Sequence, residues 1–271
     1  VGALKKYKDV PVVNSLLKFR KLNKLMSTYG ESLLEKIHPT TGRLHTRFRQ
    51  MVSTGRMSSS APNLQNIPKK QKYRSCFVSK PGYSLVTADM SGAELRILGN
   101  ISEDKVFIEC YANGIDLHTR TASEVFDTPM DKVKHAMRAS AKAINFGLCY
   151  GLSKYGLADQ LQIKEKEADR MINTYFERYS GVKSYLDGAA RFAIKNGYSQ
   201  TVSGRRRYYN VPPYGHPDRK KIQRSVERAA KNAGIQGANA DTIKESMILV
   251  VNRLEKSGLD AKLLLTVHDE V

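Results

Sequence analysis

The chain has 271 residues, 41% hydrophobic and 26% charged, which suits one large folded domain or about two ordinary ones and excludes a disordered tail. No apolar run reaches the ~18–20 residues of a membrane span, the opening VGALKKYKDV has no signal-peptide core, and Cys76, Cys110 and Cys149 fit neither a disulfide framework nor a zinc site, so a reducing intracellular compartment (cytoplasm or host cytoplasm) is expected. The net charge of +19 is uneven: residues 1–80 hold 17 Lys and Arg against Asp9, Glu31 and Glu35, a balance that attracts polyanions, nucleic acid first, unless it is only a solvated surface.

In chain order, Val12, Val13, Leu16, Leu17, Leu22, Leu25 and Met26 recur at helical spacing over 12–28, and a second short helix is expected over 31–37. After the Thr41-Gly42 turn, Leu44, Thr46 and Phe48 alternate with Arg43, His45, Arg47 and Arg49, the pattern of a half-buried strand with one basic face. Residues 53–70 read as loop, followed by strands near 73–78 and 83–88 and by a helix in GAELRILGNI. Helices are expected over 103–112, 117–126, 130–150 (Pro129 marking its start), 153–160, 164–178 and 180–196. A short β stretch over 198–210, a loop in VPPYGHPD, helices over 218–233 and 239–256 and a last strand over 261–267 complete the reading. Strands flanking a long helical insertion make the fold class α+β.

Three stretches carry chemistry. Asp89 follows an apolar strand at a strand-to-helix junction, where a carboxylate either binds a hard cation such as Mg²⁺ or caps the helix, a task Ser91 could equally perform. In HAMRASAKAINFGLCYG, Arg138, Lys142, Phe146 and Tyr150 fall four residues apart, a slowly turning stripe of two cations and two rings. That stripe suits a nucleoside triphosphate; alternatively the rings are core and the cations merely exposed. The final VHDEV sets Asp269 beside Glu270: their repulsion suits a cation site if Asp269 meets Asp89 in space, and otherwise marks an exposed turn.

Together and in this order, DMSGAELR (89–96), RASAKAINFGLCYG (138–151) and VHDEV (267–271) resemble the three polymerase motifs of family A DNA polymerases, the bacterial DNA polymerase I type. TGRMSSSAPNLQNIP (54–68), GRRRY (204–208) and RAAKNAGIQGANAD (228–241) are similar to that family as well, so the likeness runs through essentially the whole chain. The resemblance implies that Asp89 and Asp269 hold two Mg²⁺ ions, with Glu270 in support and the Met90 carbonyl as a further ligand. It implies that Glu94 excludes a ribose 2′-hydroxyl, and that His118, Arg138 and Lys142 contact the triphosphate, Lys142 also protonating the leaving pyrophosphate. Phe146 would pack on the incoming sugar and Tyr150 near the templating base. Arg56, Asn63, Asn66, Arg228, Asn232, Gln236 and His268 would face the primer–template, most of them in the minor groove, where acceptors are nearly independent of sequence.

The implied fold is the polymerase right hand: partial helical thumb over 1–40, antiparallel-sheet palm over 41–104, helical fingers over 105–210 and a second palm part over 211–271. Expected partners are primer–template DNA and dNTPs, with no membrane and a monomeric state. Met90 stands where the family usually has Tyr, Gly92 where Gln is common (a glycine there resembles some phage enzymes), Thr266 replaces a common Gln, and Phe146 implies poor use of dideoxynucleotides. No exonuclease domain is expected in this chain, and further polypeptide is expected to complete thumb and palm. The rival expectations are a nucleic-acid-binding fragment without activity of its own and a two-metal nuclease, for which the Arg138–Tyr150 stripe would be superfluous.

Overall fold

A computed structural model describes residues 2–5 and 7–271. The chain separates into two compact units. The smaller takes residues up to Val52, Met57–Ala88 and Leu265–Glu270; the larger takes Ser53–Arg56, Asp89–Leu264 and Val271.

The smaller unit begins with α1 (Gly2–Lys5), α2 (Pro11–Tyr29) and α3 (Glu31–Leu34). Pro11 stands in the first turn of α2, where its missing N–H costs nothing. The helix buries none of its residues. Strands β1 (Arg47–Arg49) and β2 (Ser58–Ser60) pair antiparallel, Phe48 opposite Ser59. The expected basic face is present, with Arg43, His45, Arg47 and Arg49 exposed and Leu44, Thr46 and Phe48 turned partly inward.

Strand β2 lies inside the stretch expected to be loop, because side-chain bonds substitute for β propensity. The Ser59 and Thr46 hydroxyls meet at 2.6 Å, Ser59 N–H donates to Gln65 Oε1 at 3.1 Å, and Leu64 N–H donates to Ser59 Oγ at 2.8 Å. Gln65 Nε2 in turn donates to the Thr266 carbonyl at 3.0 Å, joining this loop to the end of the chain.

Of the expected strand 73–78, the first part is instead the single turn α4 (Gln71–Arg74). Ser75 N–H reaches the Gln71 carbonyl at 2.8 Å, a local bond that needs no distant partner. Residues 83–88 follow a Pro81-Gly82 turn but form no ladder among the described residues, and the same holds for 261–266. A strand exists only through a neighbour's hydrogen bonds, and an apolar run alone cannot supply one.

The larger unit is helical: α5 (Ala93–Ser102), α6 (Lys105–Ala112), α7 (Leu117–Val125), α8 (His135–Cys149), α9 (Lys154–Leu161), α10 (Glu165–Arg178), α11 (Ser180–Asn196) and α12 (Arg219–Ser257). The hairpin β3 (Tyr198–Gln200) and β4 (Arg206–Tyr208) is inserted before α12. Its core gathers Leu95, Leu98, Phe107, Ile144, Leu148, Tyr175, Tyr179, Val182, Leu186 and Ile235. One buried carboxylate organises two helix starts. Asp104 Oδ1 accepts from Val106 and Phe107 N–H of α6, and Oδ2 from Gly181 and Val182 N–H of α11, satisfying four donors that the helices leave open.

The helix expected from 130 begins as a 3₁₀ turn at Met130–Lys132, and α8 proper starts at His135. The two helices expected over 218–256 are one of 39 residues. Gly234 and Gly237, which lie in the gap between the two expected helices, serve close packing. A Cβ at Gly234 would lie 2.3 Å from the Tyr185 hydroxyl oxygen, and one at Gly237 2.3 Å from Thr201 Cγ2. Among the described residues no helix is long and apolar enough to cross a membrane.

Candidate functional site

Asp89 and Met90 lead into α5 through Gly92, whose φ of +64° lies in the left-handed region that glycine tolerates. The N-cap of α5 is Gly92, without a side-chain cap, so neither Asp89 nor Ser91 fills that role. The Asp89 side chain is exposed and takes no hydrogen bond or ion pair among the described residues. The Met90 carbonyl accepts from Ala93 N–H at 3.1 Å and keeps one lone pair.

Glu94, one turn into α5, is only 5% exposed. A buried carboxylate needs partners, and it has two: Arg56 Nη2 donates to Oε1 at 2.6 Å and the Tyr150 hydroxyl donates to Oε2. Burial, and then the bond to Glu94, push the Tyr150 hydroxyl well above its ordinary pKa, so it stays a donor. Arg56 is placed through its neighbour Gly55, which lies directly on the Arg205 guanidinium and has no room for a Cβ. Arg205 is fixed to α12 by Asp241 Oδ1 at 2.9 and 3.0 Å and by the Gly237 carbonyl at 2.8 Å.

Along α8 the expected stripe is only partly one surface. Lys142, Phe146 and Tyr150 line a groove of about 500 Å³ with Ala143, Gly147 and Leu152. The Phe146 and Tyr150 ring centroids are 6.4 Å apart, and His118 of α7 is 5.8 Å from Phe146. Arg138 turns away to Asp116, the N-cap of α7, which also accepts from Thr119 N–H at 2.7 Å. Those bonds, the Arg138 pair foremost, hold the Asp116 carboxyl far below the usual carboxylate range. Burial lowers the His118 pKa, and the nearby Arg138 and Lys142 add to this, while Asp116 opposes it.

On α12, Arg228, Asn232 and Gln236 follow one another at four-residue steps and so share a face. A Cβ on Gly151, just past Tyr150, would sit 3.4 Å from Arg228 Cα, so the end of α8 runs against this face. Asn232 Oδ1 is buried without a hydrogen-bond partner among the described residues.

The smaller unit carries Asn63, Asn66, His268, Asp269 and Glu270. Asn63 Oδ1 accepts from Gln65 N–H at 2.9 Å and the Asn66 carbonyl accepts from the Tyr29 hydroxyl, both bonds shaping the loop. Val267 and Glu270 close a turn by two backbone bonds of 2.8 and 3.0 Å, with His268 at φ +62° and exposed. The Asp269 and Glu270 carboxylates are half-buried and take no hydrogen bond or ion pair among the described residues. Asp89 belongs to the other unit.

Among the described residues no three His, Cys, Asp or Glu side chains form a ready metal cluster. One or two unpaired carboxylates are nevertheless what Mg²⁺ takes from a protein, since it keeps waters and substrate oxygens for the rest of its shell. Asp89 and Asp269 fit that donor set by chemistry. No sequence motif gives a role to Asp116 or Asn145: Asn145 finds its partners His118 and Thr121 on α7, and Asp116 pairs with Arg138 of α8 while also capping its own helix, the one local signal of the two.

The model of the family described as DNA polymerase family A matches residues 1–271. DNA polymerase I of Pseudomonas aeruginosa is 43% identical over 268 residues, covering 97% of this chain and 29% of that protein. DNA polymerase I of Geobacillus stearothermophilus is 45% identical over 266 residues, 96% of this chain and 30% of that protein. Among solved structures, the POL domain of Pol1 from M. smegmatis, in complex with DNA primer-template and dNTP, superposes with a TM-score of 0.89 at 42% identity, covering 99% of this chain and 48% of that one. The chain thus spans under a third of the length of these curated relatives.

Proposed function

The chain belongs to DNA polymerase family A, and from that premise we propose that it carries the site for template-directed DNA synthesis. The observation that carries the reading is the α8 groove: cation and rings along its wall, with Tyr150 tied to the buried Glu94. The M. smegmatis relative, solved with primer-template and dNTP, supports the same partners here.

In this reading, the primer 3′-hydroxyl gives its proton to water and bonds to the α-phosphorus of a dNTP as the bond from that phosphorus to the oxygen bridging to the β-phosphate breaks. Pyrophosphate leaves with a proton from Lys142, which regains one from solvent. Arg138, Lys142 and His118 hold the triphosphate; Phe146 packs on the sugar; Tyr150 lies near the templating base. Glu94, pinned from both sides, occupies the volume that a 2′-hydroxyl would need. Asp89 and Asp269, with the Met90 carbonyl and Glu270, would bind two Mg²⁺ ions, which supply charge stabilisation at the attacking and leaving oxygens. Arg56, Arg228, Asn232, Gln236 and His268 face the minor groove, Asn63 and Asn66 the neighbouring duplex, and residues 1–40, 41–104, 105–210 and 211–271 serve as partial thumb, palm, fingers and second palm part of a monomer.

The test is extension of a primed template by the protein and by Asp89→Asn and Asp269→Asn. Each variant is expected to lose at least a hundredfold in rate. Rates within a factor of two of the parent would end the assignment; salt-sensitive duplex binding without incorporation would favour a nucleic-acid-binding fragment.

A further inference from the structure

Asn145 lies one residue before Phe146 on α8 and is fully buried, so its amide faces into the protein and not into the groove. A buried amide must find partners. Its Nδ2 is 3.0 Å from His118 Nδ1 and 3.0 Å from Thr121 Oγ1. The Thr121 hydroxyl is closest to the Leu117 carbonyl, at 2.8 Å, and a carbonyl can only accept, so the hydroxyl proton points there. Thr121 Oγ1 lies 3.2 Å from Asn145 Oδ1 and 3.0 Å from Asn145 Nδ2; with its single proton on the nearer Leu117 carbonyl it accepts instead, from the Asn145 Nδ2 N–H and from the Tyr179 hydroxyl at 3.0 Å. The second N–H of Asn145 goes to His118 Nδ1, which must present a lone pair.

We propose that Asn145 is a positioning residue for nucleotide binding: through the Tyr179–Thr121–Asn145 chain it holds His118 as the neutral tautomer with its proton on Nε2, so that the ring offers the triphosphate a donor. The proposal rests on the reading of His118 as a triphosphate contact. Protonating Nδ1 would set two N–H groups against each other, which disfavours the imidazolium. The charged groups facing the ring act in both directions: Asp116 favours the charged form, while Arg138 and Lys142 oppose it. A neutral donor contacts phosphate without adding a third full cation beside Arg138 and Lys142, and it does so unchanged through neutral pH.

Two measurements on the whole chain test this. Nitrogen NMR of ¹⁵N-histidine-labelled protein, with His118 assigned by its loss in His118→Gln, is expected to find Nε2 protonated and Nδ1 bare at pH 7; an Nδ1–H or mixed ring overturns the proposal without any variant having to fold. Asn145→Asp replaces the donor by an acceptor, so the proton should move to Nδ1 and leave a lone pair on Nε2. Binding of a dNTP should then weaken about tenfold at pH 8, the loss of one charge-assisted hydrogen bond, and recover toward pH 6 as the ring becomes an imidazolium. A loss equal at both pH values would mean a merely structural role. Should the parent bind no dNTP, the polymerase reading fails, and the NMR result alone then decides whether Asn145 sets the ring.

Discussion

Arg138 grips Asp116 with two parallel hydrogen bonds, Nε to Oδ1 at 3.0 Å and Nη2 to Oδ2 at 2.7 Å. Both side chains are exposed by more than 40%, and such surface pairs are worth only ~0–1 kcal/mol. A triphosphate, with more charge and more acceptors, can therefore take Arg138 from it. Asp116→Asn keeps a cap for Thr119 but drops the charge, and should tighten dNTP binding by roughly twofold to fivefold, the range that ~1 kcal/mol allows. Arg138→Ala should weaken it tenfold or more. Calorimetric titration reads both, and tighter binding by Arg138→Ala would contradict the role given to that residue.

The same pair makes stability pH-dependent. The Asp116 pKa is depressed from its ordinary 3.8 when the chain is folded. Its contribution is thus complete above 3.8 and is lost as the pH falls from there toward the lower folded value. Urea midpoints from pH 7 to pH 2.5 should place the parent above Asp116→Asn near neutrality, with the gap closing below about pH 4. A gap that widens in acid would reverse the sign of the argument.

Two glycines in helices should respond oppositely to alanine. At Gly237 a Cβ would be 2.3 Å from Thr201 Cγ2, and overpacking should cost about 1–3 kcal/mol. At Gly188 of α11 a Cβ meets nothing within 4 Å, so the helix-propensity gain of up to about 1 kcal/mol should appear as increased stability. Because Gly237 also supports Arg205, and Arg205 underlies Gly55 and so Arg56, the first substitution should weaken primer–template binding as well. Equal urea midpoints for the two variants would rule out the packing account.

Arg47 and Arg49 stand on the exposed face of β1. If that face tracks phosphates, the double alanine variant should reduce the slope of log K against log salt for duplex binding by about 1.8, or 0.9 per contact. An unchanged slope would assign the basic face to solvent.

Much of the larger unit was legible in the sequence because its signals are local. Helical spacing places α6, α7, α10 and α11 within about two residues of their observed bounds. The contiguous motif 138–151 likewise brought together Lys142, Phe146 and Tyr150, which line one groove. Misreadings arose where an outcome depends on residues far along the chain. Whether 83–88 or 261–266 becomes a strand depends on a partner, whether Gly234 and Gly237 break α12 depends on Tyr185 and Thr201, and whether Arg138 joins the groove depends on Asp116 twenty-two positions away.

Spacing along one helix therefore determined which residues share a side of α8, because the helical repeat is set by the backbone alone. Only the tertiary structure decided what each side meets: Lys142, Phe146 and Tyr150 open onto a groove, while Asn145 turns inward to His118 and Thr121. Hydrogen bonds between helices have no signature in a local pattern, since each half looks like an ordinary polar residue until burial leaves it no partner but the other.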